Sequence, residues 1–432
     1  MQKAVGDKNV YRVIYVARSS NEVVRRYLRR LGRLRDEGFE VHILAADDGG
    51  MEELQAQGFV VCPLPVKNPR NPAGMVGAYL IIQGYFLEHQ PVLVHSFSHR
   101  LAWAATFAAK QAQVPAIFLT MEYHWLDEDP CRLSLGPLAA WGVPQAVEVA
   151  ESGVNLAVGP PFRRSMHAAY RWIADKVDRY IVTTEFDFQL MQDMEVVEPK
   201  KLEIAIGGAG VDVEEYGAEL SGGPDIGEVR RRLGLPNHWR QVVGWVGPVT
   251  RRHGAEELIG AIRKLRRTHP SVGWLVVPRG EVSSGQLRRL QALADRGFVQ
   301  VREEGAFKKD IYDAMDLLAW FGRPSTPHDG IVEAAASGTP TVGYDTPGAR
   351  SLVEQGETGF LVLESDQERA VAAMAAILDD PRRLEDLGRR ARRRGVTRFA
   401  RRDVDDQILR LYDQVLEETL SPVEHHSSEK SI

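Results

Sequence analysis

Cysteine is almost absent from this chain of 432 residues, which contains only Cys62 and Cys131. Two cysteines cannot build a disulfide framework, and their separation does not match the spacing of a zinc site. The scarcity of cysteine therefore predicts a protein of a reducing compartment, the cytoplasm, without structural disulfides and without a metal centre.

Long apolar runs are missing as well. The apolar run at residues 101–109 is far shorter than the roughly 18 residues that a membrane-spanning helix needs. Residues 1–7 contain no apolar signal core. The net charge of −5 gives no excess of positive charge, so nucleic acid is not expected to be a partner.

The composition, with 44% hydrophobic and 26% charged residues, is typical of a globular protein. Short β-branched runs alternate with helical patterns, which predicts parallel sheets covered by helices on both faces. The predicted buried strands fall into two sets: 11–17, 40–45, 92–95, 116–120 and 180–184 in the first half, and 241–246, 272–278, 299–302, 317–321 and 341–344 in the second.

Two sets of strands in a chain of this length predict two Rossmann-like, doubly wound α/β domains that meet at a cleft. The glycine-rich and polar composition after Ala205 indicates a turn and a linker. We expect an N-terminal domain at 10–210, a linker at 211–238, a C-terminal domain at 239–395, a helix at 396–420 that packs back towards the N-terminal domain, and a disordered tail at 421–432.

The stretch from His328 to Gly348 is the most informative part of the sequence. It predicts a helix that opens at Gly330, closes at Gly338 and leads into a buried strand. Free amides at such a helix start favour an anion such as phosphate. Glu333, expected in the first turn, is placed to accept hydrogen bonds from ribose hydroxyls; the alternative is a surface charge favoured only by the helix dipole.

Each half also begins with a strand that runs through a loop into a helix. In the first half, Ser19 and Glu22 have the spacing of a capping box. In the second half, the loop from Pro248 to Gly254 leads into a helix predicted at 255–267. Because ligands of open α/β sheets bind outside the carboxyl ends of the strands, both loops are expected to line the cleft.

Taken together, residues 10–417 resemble a GT-B glycosyltransferase of the large retaining family called glycosyltransferase family 4. The residues that carry this resemblance lie in several segments, namely 38–44, 90–99, 175–185, 210–212, 246–247 with Gly254, and above all 306–316 through 359–362.

The resemblance implies transfer of a sugar from a nucleotide diphosphate sugar to a glycan, lipid or small-molecule acceptor, with retention at the anomeric carbon. It implies neither a tightly bound metal nor a tightly bound cofactor. Glu333 matches the second glutamate of the Glu-x7-Glu motif and would bind the ribose. Backbone amides near Gly330 and Ile331 would hold the diphosphate.

Three positions depart from the family pattern. Ser325 stands where the family has its first glutamate. Gly247 is followed by Pro248 instead of arginine, and His253 replaces the lysine before Gly254. The missing cations would normally neutralise the leaving diphosphate. The substitutes that the sequence offers nearby are Arg251, Arg252, His253 and His328, whose alternative role is that of ordinary solvated residues beside a helix cap.

In the N-terminal domain, residues 120–125 resemble the family's Thr-x-His segment, whose histidine approaches the reacting sugar. The alignment leaves Glu122 and His124 both as candidates for the catalytic position. A histidine in such a loop can also be a polar residue with no catalytic part. His95 and His99 are weaker candidates.

Two basic stretches, at 21–35 and 382–402, predict amphipathic helices that could dock on the inner face of an anionic membrane. In the first, Val24, Leu28, Leu31 and Leu34 are expected on one face, with arginines around the rest. The alternative is an ordinary amphipathic helix that packs on a core.

Two functions of different classes are consistent with these patterns. The first is an active retaining glycosyltransferase. The second is a GT-B protein that has lost catalysis and serves as a binding or scaffold subunit of a glycosyltransferase complex. A GT-B phosphorylase or epimerase is a third and more distant reading. The feature that bears on the choice between the first two functions is the loss of the family's arginine, lysine and first glutamate. Pro248, His253 and Ser325 stand in their places.

Overall fold

The computed structural model describes residues 11–66, 72–121, 160–206, 208–216, 225–303, 308–323 and 328–420. In this part of the chain two parallel sheets form the centres of two α/β units. The prediction of two doubly wound domains is therefore confirmed.

The first unit alternates strands and helices in the manner of a Rossmann-like domain. Its elements are β1 (Arg12–Val16), α1 (Ser20–Asp36), β2 (Glu40–Ala45), α2 (Met51–Ala56), β3 (Val60–Pro63), α3 (Pro72–His89), β4 (Leu93–Ser96), α4 (His99–Gln111), β5 (Ala116–Met121), α5 (Pro160–Lys176), β6 (Arg179–Val182), α6 (Glu185–Asp193) and β7 (Leu202–Ile204). The strand order is β3-β2-β1-β4-β5-β6-β7.

The second unit repeats this architecture. Its elements are α7 (Ile226–Arg232), β8 (Gln241–Val249), α8 (Ala255–Thr268), β9 (Val272–Val282), α9 (Ser284–Ala294), β10 (Val299–Val301), α10 (Lys308–Asp313), β11 (Leu317–Trp320), α11 (Asp329–Ser337), β12 (Thr341–Tyr344), α12 (Pro347–Leu352), β13 (Gly359–Val362), α13 (Gln367–Leu378) and α14 (Pro381–Arg398), followed by α15 (Arg401–Leu420). The strand order is β10-β9-β8-β11-β12-β13.

Three observed strands, β3, β7 and β13, were not among the predicted buried strands. All three lie at an edge of a sheet, and their residues are mostly half-buried or exposed. An edge strand pairs on one side only, so it does not need the continuous apolar run by which central strands are found.

The strand orders place a reversal in each sheet, between β1 and β4 in the first and between β8 and β11 in the second. Ligands of doubly wound sheets bind outside the carboxyl ends of the strands at such a reversal. In the second sheet the loop after β8 and the helix start after β11 meet there, and these are the two segments that the sequence predicted to hold a ligand.

The last helix, α15, leaves the second unit and packs on the first sheet. Val404, Ile408 and Tyr412 belong to the same buried cluster as residues of β1 and β2. The Tyr412 hydroxyl lies 2.9 Å from that of Tyr15 in β1. The exact domain limits stay predictions, and the predicted tail at 421–432 lies outside the described residues.

The described chain crosses between the two units twice, and backbone hydrogen bonds join the two crossing segments. Val211 donates to the carbonyl of Phe399 (2.7 Å), and Arg401 donates back to the carbonyl of Val211 (2.8 Å). A Cβ on Gly210 would lie 2.8 Å from Arg401 Cα, so only glycine allows this close approach. In the described ranges no helix is long and apolar enough to cross a membrane.

Candidate functional site

The central helix of the site, α11, begins at Asp329 after the N-cap residue His328 and ends at Gly338. Gly338 has a φ of 79°, the left-handed conformation that closes a helix. The first-turn acid is Asp329, not Glu333 as the sequence predicted. Glu333 lies one turn further along, since it is four positions after Asp329.

Gly330 lies close to the backbone of β8. A Cβ at this position would lie 3.0 Å from the carbonyl oxygen of Val246 in β8, so the glycine lets the helix pack against the strand. Of the two amides expected to hold a diphosphate, that of Ile331 donates to the His328 carbonyl over 2.9 Å. The His328 ring packs against Gly348 and tilts over Trp320 with 5.2 Å between ring centroids.

Glu333 is held by two side chains that the sequence analysis missed. Arg279 Nη1 lies 2.7 Å from Glu333 Oε2, and the Tyr312 hydroxyl donates to the same oxygen over 2.5 Å. The side chains of Arg279 and Glu333 are 8% and 13% exposed. Burial and the Glu333 carboxylate raise the pKa of Tyr312 well above its ordinary value. Arg279 follows the buried part of β9, and a charge there is the signal that could have identified it.

Glu333 also lines a cavity of about 460 Å³ between the two units. The cavity walls come from α1 and α2 of the first unit, from the crossing segments and from α11. Five carboxylates and three guanidinium groups line it together with apolar atoms: Glu53, Asp212, Glu214, Glu215 and Glu333, with Arg25, Arg29 and Arg401. This mixture of acceptors and donors suits a ligand with many hydroxyl groups.

The substitute cations predicted after β8 are engaged elsewhere. His253 is buried, and its Nδ1 lies 2.7 Å from Thr250 Oγ1. Arg251 is 81% exposed and lies 3.4 Å from Glu256. Hydrogen bonds from Arg289 and Gln286, with a smaller one from Arg251, lower the pKa of Glu256 to about 2. The side chain of Arg252 is half-buried and has contacts of its own.

Gly247, at the bulge in β8, does leave room for a ligand. Its φ is 152°, and a Cβ there would have no atom within 4 Å. Gly254, by contrast, packs against the end of β11: its φ is 90°, and a Cβ would lie 2.1 Å from the Phe321 carbonyl oxygen. The two glycines of this loop therefore serve different ends, one opening the cleft and the other bringing α8 against the sheet.

The loop before α1 is tied to the end of β2. Ser19 caps the helix by accepting from the Glu22 amide over 3.0 Å, while the Glu22 carboxylate pairs with Arg26. Ser20 Oγ donates to Asp48 over 2.7 Å, as does Ser19 Oγ over 2.5 Å. Burial acts to raise the pKa of Asp48, but the hydrogen bonds outweigh it and lower that pKa. The serines thus fix the loop to the sheet.

The arginines of α1 are bound to acids of the same chain. Arg25 and Arg26 lie 3.3 and 3.5 Å from Asp329 at the start of α11. Of the other four, Arg29, Arg30 and Arg33 pair with Asp212, Asp405 and Asp406, respectively, and Arg35 lies 3.2 Å from Asp36. Of the predicted apolar face, Leu31 and Leu34 are buried together with Val23 and Tyr27, while Val24 and Leu28 are half-buried against the same core and also line the cavity. The charged face of α1 is directed at the second unit and at α15.

Glu122 and His124 lie outside the described residues, as does Ser325. His95 is fully buried in the first unit, where Nε2 lies 2.7 Å from Thr120 Oγ1 and Nδ1 bonds the Tyr412 hydroxyl. Burial and the charge of Arg30 lower the pKa of His95 well below its ordinary value. His95 therefore belongs to the core.

Two parallel Rossmann-like units with a cleft at their strand reversals define the GT-B fold. The fold matches HepE from Anabaena, solved in complex with UDP and glucose, with a TM-score of 0.68 over 94% of this chain and 100% of that one at 17% identity. Sucrose-phosphate synthase from Thermosynechococcus elongatus matches with a TM-score of 0.69, 18% identity and the same coverage.

Sequence comparison gives the family. Residues 22–207 match the family described as glycosyl transferase 4-like domain, and residues 240–380 match glycosyl transferases group 1. The chain belongs to the GT-B glycosyltransferases of the family 4 type.

Curated relatives include D-inositol 3-phosphate glycosyltransferases. The one from Gordonia bronchialis is 27% identical over 310 residues, and the one from Corynebacterium kroppenstedtii is 27% identical over 267 residues. These alignments cover 67% and 58% of this chain, respectively. The chain spans 64% and 58% of the length of these relatives.

Proposed function

We propose that this protein is a retaining glycosyltransferase that uses a uridine diphosphate sugar as its donor. The observation that carries the proposal is Glu333, a carboxylate on α11 that lines the cavity between the two units. The UDP and UDP-glucose complexes of HepE, a protein of the same fold, support uridine as the base.

In this proposal Glu333 binds the ribose. In the part of the chain that the structure describes, its side-chain contacts from Arg279 and Tyr312 both fall on Oε2. The other oxygen, Oε1, is then the acceptor for the ribose hydroxyls. The arginine and the tyrosine fix the carboxylate in one orientation, which reduces the entropy lost on binding. The amide of Gly330 and the open space at Gly247 receive the diphosphate.

The reaction that this site would support needs little from side chains. The bond between the anomeric carbon and the diphosphate oxygen breaks, the acceptor oxygen forms a bond to that carbon on the same face, and the proton of the acceptor hydroxyl passes to the leaving diphosphate. The protein contributes orientation and stabilisation of the negative charge that develops on the diphosphate. His124 and Glu122 remain the proposed residues beside the reacting sugar.

A second function is favoured by the geometry after β8. His253 bonds to Thr250 within the loop, and Arg251 is bound to Glu256, so neither is held in place for a diphosphate. A chain that binds the donor without transferring the sugar would act as a binding or scaffold subunit. Peripheral contact of α1 with an anionic membrane is a separate proposal, and the internal ion pairs of its arginines weigh against it.

Binding of the donor is tested by the melting temperature of the protein with UDP, GDP and ADP at millimolar concentration, because a ligand stabilises the state that it binds. UDP should raise the melting temperature most. Glu333→Gln should abolish the shift. Glu256→Gln is a matched control, since Glu256 also pairs with arginine in the second unit but does not line the cavity.

Transfer is tested by release of UDP from UDP-glucose in the presence and absence of candidate acceptors. Acceptor-dependent release supports the enzyme, whereas stabilisation by UDP without any release supports the scaffold subunit. If no nucleotide shifts the melting temperature, or if Glu333→Gln keeps the full shift, the assignment of Glu333 to the ribose is wrong.

A further inference from the structure

The two units are joined across the cleft by a pair of arginines on one carboxylate. Asp329, at the start of α11, lies 3.3 Å from Arg25 and 3.5 Å from Arg26. The side chains of Arg25 and Arg26 are 32% and 8% exposed, and that of Asp329 is 21% exposed. Two guanidinium groups of the first unit are thus already assembled around an anion of the second.

The position of this anion relative to Glu333 is informative. Residues four apart on a helix share one face, with about 5–6 Å between their Cβ atoms. Asp329 and Glu333 have this relationship, and both line a small cavity together with Arg25 and Arg26. If Glu333 binds the ribose, the diphosphate attached to that ribose reaches the position now taken by the Asp329 carboxylate.

We infer that Arg25 and Arg26 bind the diphosphate of the donor, and that Asp329 holds their guanidinium groups until the donor replaces it. This inference rests on the proposed donor site and names the cations that replace those missing after β8. Guanidinium groups bind phosphate oxygens in pairs of parallel hydrogen bonds. They therefore supply from the first unit the charge that Pro248 and His253 do not supply from the second.

Space and charge both require the exchange. The small cavity beside Asp329 measures about 20 Å³, which is room for about one water molecule but not for a phosphate group. It shares Arg25, Glu333 and Arg401 with the larger cavity of about 460 Å³. A phosphate entering from the larger cavity must displace the Asp329 carboxylate, because the space beside Asp329 does not hold both anions and they would repel each other there.

The contact of Arg26 with Glu22 is compatible with the exchange. Arg26 Nη1 is bound to Glu22 over 2.8 Å, whereas its contact with Asp329 is made by Nη2. Arg25 also uses Nη2 for Asp329. The Glu22 contact holds Arg26 in place while the group that faces Asp329 changes its anion. The same arginines thereby join the two units in both the empty and the donor-bound protein.

The test compares dissociation constants of UDP and of uridine, which lacks the diphosphate, by calorimetry on the full chain. Asp329→Asn removes the competing charge while keeping the size of the side chain, so it should tighten UDP about tenfold and leave uridine unchanged. Arg25→Gln should weaken UDP about tenfold and again leave uridine unchanged. Arg33→Gln is the matched control because Arg33, on the same helix, pairs with Asp406 away from the cavity.

We choose Arg25→Gln because Arg25 is the more exposed of the two arginines. The variant is therefore expected to fold, and its melting temperature without ligand checks this. The inference is overturned if Asp329→Asn fails to tighten UDP, or if Arg25→Gln binds UDP as the unaltered protein does. In either case the proposed function stands as long as the unaltered protein binds UDP more tightly than uridine. Failure of the unaltered protein to bind either compound overturns both.

Discussion

Arg279 and Glu333 form a largely buried ion pair, with Nη1 2.7 Å from Oε2, that joins the end of β9 to the second turn of α11. The two residues are 54 positions apart. The pair shows that the carboxylate at the centre of the candidate site is fixed from behind by the neighbouring strand before any ligand binds.

The first prediction concerns this pair. Arg279→Ala should lower the free energy of unfolding by about 3 kcal/mol, because it leaves a largely buried carboxylate without its compensating charge. Unfolding in urea measures the loss. In a double-mutant cycle, Glu333→Gln should recover part of it, since a neutral amide needs no counter-charge. Equal and additive losses in the cycle would show that the two side chains act independently.

The second prediction concerns the buried hydroxyl of Tyr412, which lies 2.9 Å from that of Tyr15 and also bonds His95. Tyr412→Phe should cost about 1–3 kcal/mol because it leaves buried polar groups without a partner. Tyr180→Phe is the matched control. In the described part of the chain the Tyr180 hydroxyl is buried without a hydrogen bond, so its removal should leave stability unchanged or raise it. Similar losses in both variants would contradict this account.

The third prediction concerns two glycines with positive φ. It separates the cost of a strained backbone conformation from the cost of a steric clash. Gly297 has a φ of 74° and open space where a Cβ would be, whereas Gly254 has a φ of 90° and the Phe321 carbonyl oxygen 2.1 Å from that point. Gly297→Ala should cost about 1–2 kcal/mol for the backbone conformation alone. Gly254→Ala should cost about 2 kcal/mol more because the chain must move. Thermal unfolding compares them, and equal costs would mean that the loop relaxes freely.

The fourth prediction concerns pH. Burial raises the pKa of Asp313 to about 6, and Asp310 raises it too, while Lys309, Arg392 and Arg232 act to lower it. Because the pKa of the folded state lies above the ordinary value of 3.8, the folded protein binds a proton that the unfolded chain has lost. The contribution to stability is therefore complete below pH 3.8 and is lost as the pH rises through about 6.

Asp313→Asn should remove this dependence. Relative to that variant, the unaltered protein should lose about 2–3 kcal/mol of unfolding free energy between pH 4 and pH 7, which unfolding in urea at each pH will measure. Asp36→Asn is the control, because this side chain is 70% exposed. The free energy of unfolding of this variant should change with pH as that of the unaltered protein does. A constant difference between the Asp313→Asn variant and the unaltered protein across this range would contradict the buried-carboxyl account.

The sequence by itself determined the two sheets and the helix that carries Glu333. Central strands such as β2 and β12 are continuous apolar runs because both of their faces are buried, so their limits could be predicted to the residue. The limits of helix α11 were predicted to within one residue. Its polar start and the glycine after its end, Gly338, are signals that lie in the local sequence.

Only the tertiary structure decided which charges meet. Arg279 reaches Glu333 over 54 positions, and Arg25 reaches Asp329 over 304. Nothing local in the sequence records such pairs, since an arginine on an amphipathic helix has the same pattern whether it faces solvent, a membrane or another domain. The ion pairs of Arg25 and Arg26 with Asp329 place two arginines of α1 beside the start of α11, and contact of this helix with a membrane stays a prediction.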